Sequence, residues 1–416
     1  MTLSNIIKSL GGSLANLTVM SSQTDPYRID TPANHRNAKW LADTWAACSL
    51  TQIHTRGLHY ALVSLPGLVK PDGTQYMNTH QDWIFLQRVV NHARWLGYLE
   101  FDAIVDERNA GPEIFLPPTY EQTSIEIELD TGCLTKELNL PEINIACHPS
   151  HARQAYRLVL IGEKSSLRSV LHPICQKFEA ELVLPTGELS TTLLHGILSR
   201  AAADGRPCRV FYLSDFDPTG FHMPLEVARK VQALCDLKFP DLDVELRRCA
   251  LLQHQVQSLG LPATPLKATE KRASKWRDRF GCEQTEIDAL ATLRPEILAK
   301  IVEGDLSPYF DSTLQKRLEE AEWVASDETQ ERIDAAWANY GPEVLEAQQL
   351  ISAADAALEM ASIVVCPLLD EIVRSIEVVQ SEPVQPELDE GAFVAPLFSS
   401  RNSFAVTTTA LLGEKL

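Results

Sequence analysis

At 416 residues, 45% of them hydrophobic, the chain has material for two domains with sizeable cores plus appendages, and no stretch is long or apolar enough to span a bilayer. Its nine cysteines, an odd number with no C-x-x-C pair, exclude a disulfide or zinc-ribbon scaffold and fit a reduced, cytoplasmic protein; Cys147, His148 and His151 lie close together but lack a fourth ligand. The formal charge of −19 does not exclude a nucleic-acid partner, because it is uneven: residues 1–150 carry −6, residues 151–310 carry +1 and residues 311–416 carry −14.

Residues 1–30 read as an N-terminal arm; Met1 to Met20 holds Lys8 but neither a continuous apolar run nor a small-residue cleavage pattern, so no secretory leader is expected. Thr31-Pro32 reads as a helix cap followed by proline at the first helical position, opening a helix through Trp45. Thr55 to Leu65 is a second helix, closed by Pro66-Gly67. Thr79 opens a third, with Phe85, Val89, Ala93 and Leu96 at spacings of three or four before Gly97. Leu99 to Val105 and Glu113 to Leu116 then read as short strands around a polar turn. Three helices followed by a β-wing are the parts of a winged-helix domain, expected over residues 31–150; a generic helical domain is the plainer alternative.

From residue 151 the pattern changes. Leu158 to Ile161, Glu181 to Leu184 and Arg209 to Leu213 are short apolar runs separated by helical spacing over Leu167 to Phe178 and Thr191 to Ala203. Such a β-α-β-α-β unit builds a parallel sheet, whose ligands sit at the carboxyl ends of its strands. Two acid groups fall at those ends: Glu163 in Ile161-Gly162-Glu163-Lys164, and Asp215 and Asp217 in Leu213-Ser214-Asp215-Phe216-Asp217-Pro218-Thr219-Gly220, a run that begins 52 residues after Ile161. Three carboxylates delivered by strand ends can hold Mg²⁺ beside a phosphate. The plainer reading makes Glu163 a helix cap and Asp-Pro-Thr-Gly an ordinary turn.

Farther on, Pro262 to Lys267 reads as an extended crossing, and Lys267, Lys271, Arg272, Lys275, Arg277 and Arg279 form a basic strip for phosphate contact. Continued as a helix, the strip would spread its charge over more than one face, as a merely solvated helix does. Leu318 to Val379 is helical in pattern, broken at Gly341-Pro342 and Pro367, and residues 311–380 are expected as a helical extension. Residues 381–416 are rich in Pro, Ser and Thr, lack periodicity, and are expected as a disordered acidic tail.

One Glu after a first strand and Asp-x-Asp after a third resembles the Toprim domain of topoisomerases, primases and related nucleases, which implies Glu163, Asp215 and Asp217 as metal-site acids with Mg²⁺, or Mn²⁺, as the ion. Toprim by itself does not choose between transesterification, hydrolysis and polymerisation. The second helix narrows the choice. In Thr55-Arg56-Gly57-Leu58-His59-Tyr60, Arg56 and Tyr60 are four apart and share a helical face. Topoisomerase VI A subunits and the meiotic double-strand-break transesterase carry Arg-acid-x-Tyr-Tyr on such a helix, and the second Tyr attacks DNA. Arg56 and Tyr60 match, while Gly57 replaces the acid and His59 the first Tyr.

The order of domains is similar too, over roughly residues 35–310, and Leu261 to Lys267 and Glu286-Ile287-Asp288-Ala289-Leu290 look like stretches of the stand-alone prokaryotic A-like proteins. The resemblance implies an α/β (α+β overall) chain that binds and cuts double-stranded DNA as a homodimer, Tyr60 of one subunit meeting the metal acids of the other, with Lys164, Lys267, Lys271, Arg272 and Lys275 as DNA-binding candidates. It also implies a separate ATPase subunit, since the chain has no G-x-x-x-x-G-K-[ST] loop. Gly187-Glu188 and Ser190 could approach the DNA backbone, or Ser190 could simply cap a helix. A hydrolytic Toprim nuclease, a non-catalytic DNA-binding protein of the same fold, and Tyr60 as an ordinary core aromatic remain open alternatives.

Overall fold

A computed structural model describes residues 18–21, 23–106, 109–117, 125–130, 142–147, 151–353 and 358–415. Residues 1–17 of the expected arm, and His148 of the Cys147 trio, lie outside them. The chain divides into two compact units: one holds residues 1–116, 155–310 and 389–416, the other residues 117–154 and 311–388.

In chain order the strands are β1 Ile53–His54, β2 Ile104–Val105, β3 Glu113–Ile114, β4 Ile125–Asp130, β5 Glu142–Cys147, β6 Arg157–Gly162, β7 Glu181–Val183, β8 Cys208–Leu213, β9 Val244–Ala250 and β10 Phe398–Ser399. The larger unit is built on a six-stranded sheet ordered β10-β9-β8-β6-β7-β3. Its four central strands are parallel, and β10 and β3 close the two edges antiparallel. Side chains of β6 alternate between two cores: Val159 and Ile161 face one side, Leu158 and Leu160 the other. Helices cover both faces, which is why these strands read as unbroken apolar runs. Helices Thr191–Asp204, Pro218–Leu237 and Phe404–Gly413 pack on the first face, and helices Arg168–Lys177, Ile287–Leu293 and Pro295–Leu306 on the second.

The helices before the sheet form where their caps predict. Thr31 and Thr79 accept the N–H groups of Asn34 and Asp82 and open helices Pro32–Ala47 and His80–Trp95. Between them, helix Thr55–Val63 is capped by the His54 ring, whose Nδ1 accepts the Gly57 N–H at 3.0 Å. The expected wing is corrected. Its two segments do not pair with each other: β2 runs parallel to β1, while β3 joins the main sheet beside β7. Arg168 and His172 hold Glu113 there, at 2.7 and 2.9 Å.

The tail expectation is also overturned. Phe398 and Leu411 are buried, β10 pairs with β9, and Ser403 caps helix Phe404–Gly413. That helix meets a fully buried ion pair, in which Arg229 donates to Asp25 Oδ1 at 3.2 Å and to Thr408 Oγ1 at 3.0 Å. Residues 398–413 are thus ordered by tertiary burial, which a lack of local periodicity does not reveal.

In the smaller unit β4 and β5 form an antiparallel hairpin in register from Ile125↔Cys147 to Asp130↔Glu142, packed with helices Leu314–Asn339, Gly341–Ala353 and Leu358–Ser375. The break at Gly341-Pro342 is present, with Pro342 in a first turn where its missing N–H goes unneeded. Pro367, expected as a second break, lies inside a helix. Val365, Leu369 and Ile372 are fully buried around it and hold that helix through the proline.

Candidate functional site

The chain passes from β6 to β7 on one side, then crosses back to lay β8 on the other side of β6. This is a doubly wound order whose topological switch lies between β6 and β8, and ligand crevices in such sheets open at the carboxyl ends of the strands at that point. Glu163 follows β6 and Asp215 follows β8. The Glu163 N–H donates to Leu213 O at 2.9 Å, carrying the strand pairing one residue further, and Glu163 Oε2 accepts the Asp215 N–H at 3.0 Å.

Asp217 caps helix Pro218–Leu237, its Oδ1 accepting the N–H groups of Thr219 at 2.9 Å and Gly220 at 2.6 Å. Asp-Pro-Thr-Gly is thus a helix start at the crevice and not a free turn. Gly220 cannot be replaced cheaply: a Cβ there would lie 2.3 Å from the Asp215 carbonyl oxygen.

Beyond Asp215 the strand is continued by a bridge between Phe216 and Thr285, with backbone hydrogen bonds of 2.9 and 3.0 Å. The bridge delivers two further acids, Glu286 and Asp288, from the stretch Glu286 to Leu290. The Ile287 N–H between them donates to Asp215 Oδ1 at 2.8 Å. Lys164 lies among all three carboxylates, 2.8 Å from Asp215 Oδ2, 3.1 Å from Asp288 Oδ2 and in contact with Glu286 Oε2. Ser166 Oγ donates to Asp288 Oδ1 at 2.5 Å. The E-x-D spacing of Glu286 and Asp288 was the available signal; only the long-range bridge gives it a location.

The crevice is strongly acidic. Burial, followed by the charges of Asp215 and Asp217, pushes the Glu163 carboxyl up to about 7, against the opposing Asp215 N–H. Burial also raises Asp215, although Lys164 and the Ile287 N–H pull it back. The Lys164 ammonium is held more firmly protonated than usual: burial opposes this, and hydrogen bonds to Asp215 and Glu286 overcome it.

Each expected ligand has one oxygen committed to a backbone N–H: Glu163 Oε2, Asp215 Oδ1 and Asp217 Oδ1. Among the described residues no group of three His, Cys, Asp or Glu side chains stands ready at metal-ligand spacing. The donor chemistry nonetheless suits a hard cation: oxygen ligands, excess negative charge, and a cation of the protein's own already on Asp215 Oδ2.

Tyr60 and Arg56 are not part of this cluster. No hydrogen bond, ion pair or ring contact among the described residues joins Tyr60 to Glu163, Asp215 or Asp217. Both side chains are exposed, Tyr60 by 55%, so the core-aromatic reading of Tyr60 is excluded. Arg56 lies over the Trp83 ring at 6.0 Å. His59 is buried, bonded to Tyr76 Oη at 2.6 Å and Asn78 Oδ1 at 3.1 Å, with its ring 5.5 Å from that of Tyr60. Gly57 faces Ile53 and His54; a Cβ there would lie 3.0 and 3.1 Å from their side chains, leaving little room for an acid.

The basic strip is helical only over Ala273–Phe280, and much of its charge is answered. Arg272 is held by Glu270 and donates to Thr219 Oγ1 at 3.0 Å, which ties it to the rim of the crevice. Arg277 pairs with Glu283 and Arg279 with Glu414. Lys267, Lys271 and Lys275 are exposed and have no ion-pair partner among the described residues. Thr264 bridges Gln284, which bears out the extended crossing, and Ser190 caps helix Thr191–Asp204.

Fold and site together define a mixed α/β protein with an acid-lined crevice at the switch of its parallel strands. Set against models of known protein families and against curated proteins, the chain matches none. No helix among the described residues is long and apolar enough to cross a membrane.

Proposed function

We propose that the chain is a divalent-cation-dependent protein that binds and cleaves double-stranded DNA in the manner of topoisomerase VI A subunits, with a winged-helix-like region ahead of a Toprim-like region. The observation that supports this reading is that Glu163 and Asp215 follow the adjacent strands β6 and β8 at the switch crevice and are joined by a hydrogen bond, with Asp217 opening the next helix two residues on. Those three residues would hold Mg²⁺ or Mn²⁺, which when bound stabilises negative charge on phosphate oxygens. The protein's own groups do the rest. The Tyr60 oxygen attacks phosphorus and gives its proton to solvent, the bond from phosphorus to the deoxyribose oxygen breaks, and that oxygen takes a proton from solvent and leaves as a hydroxyl, so one phosphodiester is exchanged for a phosphotyrosyl ester. Arg56, one helical turn earlier on the same exposed face, binds the phosphate as charge develops on it. Lys267, Lys271 and Lys275 serve as contacts to the DNA backbone.

As the resemblance to topoisomerase VI A subunits implies, the reading pairs Tyr60 of one copy with the crevice of a second, in a homodimer. A separate ATPase would supply any strand passage. In a second reading water replaces Tyr60 and the crevice hydrolyses DNA directly.

The test is cleavage of supercoiled DNA with Mg²⁺ or Mn²⁺, followed by denaturation with and without protease, using wild type, Tyr60→Phe and Asp215→Ala. Protein-linked ends that disappear in Tyr60→Phe are the expected result. Free ends from an active Tyr60→Phe protein would transfer the function to the hydrolytic reading. Full cleavage by Asp215→Ala would remove the crevice from both.

A further inference from the structure

The three expected ligands leave an arithmetic problem in the crevice. With one oxygen of each carboxylate already accepting a backbone N–H, the oxygens without such a bond, and so the readiest for a divalent ion, are Glu163 Oε1, Asp217 Oδ2 and Asp215 Oδ2. The last is in use, as Lys164 sits on it at 2.8 Å. A metal and an ammonium cannot share that oxygen without facing each other at close range, where like charges repel strongly.

Building on the reading above, we propose that Lys164 is a positioning residue with two stations: it leaves Asp215 Oδ2 when a divalent cation is taken there, and Glu286 with Asp288 retain it at the crevice.

The second station is built, not incidental. The segment carrying Glu286 and Asp288 is pinned by the Phe216–Thr285 bridge, by the Ile287 N–H on Asp215 Oδ1, and by the fully buried side chains of Ile287 and Leu290. Asp288 is steadied separately by Ser166. A lysine suits such an exchange because its ammonium is a compact charge with three donors on a flexible stem, free to release one acceptor while keeping two. Charge argues the same way: one ammonium faces Asp215, Glu286 and Asp288, with Glu163 and Asp217 adjoining, so the cluster can accept further positive charge without expelling the lysine. At its second station Lys164 remains a cation beside the crevice, placed to receive a phosphate oxygen.

Mn²⁺ binding followed by electron paramagnetic resonance of the free ion tests this without any cleavage assay. Lys164→Met should bind Mn²⁺ at least about tenfold more tightly than wild type. The double variant Glu286→Gln/Asp288→Asn should bind severalfold more weakly, because Lys164 is left with Asp215 alone. Adding Lys164→Met to that double variant should restore tight binding; persistent weakness would make Glu286 and Asp288 metal ligands and overturn the two-station scheme.

Lys164→Arg keeps the charge and can clamp Asp215 with two donors, so it should weaken binding. It carries the test if Lys164→Met does not fold, and equal or tighter binding in Lys164→Arg overturns the proposal. Unchanged or weaker binding in a folded Lys164→Met does the same. Wild-type binding that Asp215→Asn loses, with no gain in Lys164→Met, rejects this proposal alone. Binding absent from wild type and Lys164→Met alike, or unaffected by Asp215→Asn, rejects the metal reading as well.

Discussion

The two ends of the parallel sheet are charged in opposite ways. At the amino ends, Arg157 bonds Glu181 at 2.5 Å and Asp204 at 3.1 Å, Arg200 adds to Glu181, and Arg206 bonds Asp204 at 2.6 Å. In this network three arginines meet two acids, and both acids are answered. At the carboxyl ends a single lysine faces Asp215, Glu286 and Asp288, with Glu163 and Asp217 adjoining. A balanced buried network holds a fold together, whereas surplus charge of one sign marks a place that gains by binding the other. The sheet thus separates a balanced charge network from an unbalanced one by the length of a strand.

Four measurements can break or sharpen that contrast. Glu181→Ala takes from the buried Arg157 one of its two carboxylates, leaving it Asp204, and removes the partner of Arg200; it should cost about 3 kcal/mol in urea unfolding, while leaving any Mg²⁺ response intact. Acid titration comes next. Burial alone would raise Asp204, but Arg206, and then Arg157, outweigh it and hold the carboxyl at about 2. A depressed acid contributes stability above its unfolded pKa and loses it as pH falls through the folded one. Wild type should therefore lose about 1–2 kcal/mol between roughly pH 4 and 2 that Asp204→Asn does not lose.

Third, Mg²⁺ at ten times its dissociation constant should stabilise wild type by about 1.4 kcal/mol and fail to stabilise Asp215→Asn. Equal stabilisation of both would erase the distinction between the two ends. The smallest effect belongs to the exposed helix face: Tyr60→Phe should change stability by less than about 0.5 kcal/mol, so that any lost DNA linkage reports chemistry and not folding.

Much of this architecture was legible in the chain itself. Strands buried on both faces announce themselves as apolar runs, and Thr31 and Thr79 are caps whose side chains act three positions on. Local chemistry of that kind can be read locally. What escaped depends on partners far along the chain. Glu113 looked like half of a wing until β7 claimed it, and Phe398 had no visible reason to be a strand without β9. The acids of the crevice were readable because each ends a strand. Their engagement by Lys164, and the arrival of Glu286 and Asp288, rest on a bridge between residues 216 and 285 that no local pattern encodes.

The buried Asp25–Arg229 pair has a consequence for how the protein is made. Arg229 is 204 residues from Asp25 and 179 from Thr408, yet it bonds both, and Asp25 in turn collects the N–H groups of Val19 and Met20 at 2.9 and 3.2 Å. Contacts so distant along the chain are slow to form, since long loops must close before any contact rewards them. During synthesis the four parallel strands are complete by residue 250, but the edge beyond β9 stays open and Arg229 lacks its third segment until residues 398–413 emerge. The larger unit therefore spends the time needed to translate some 150 further residues with an unpaired sheet edge, the interval in which a chaperone or a second nascent chain would find it.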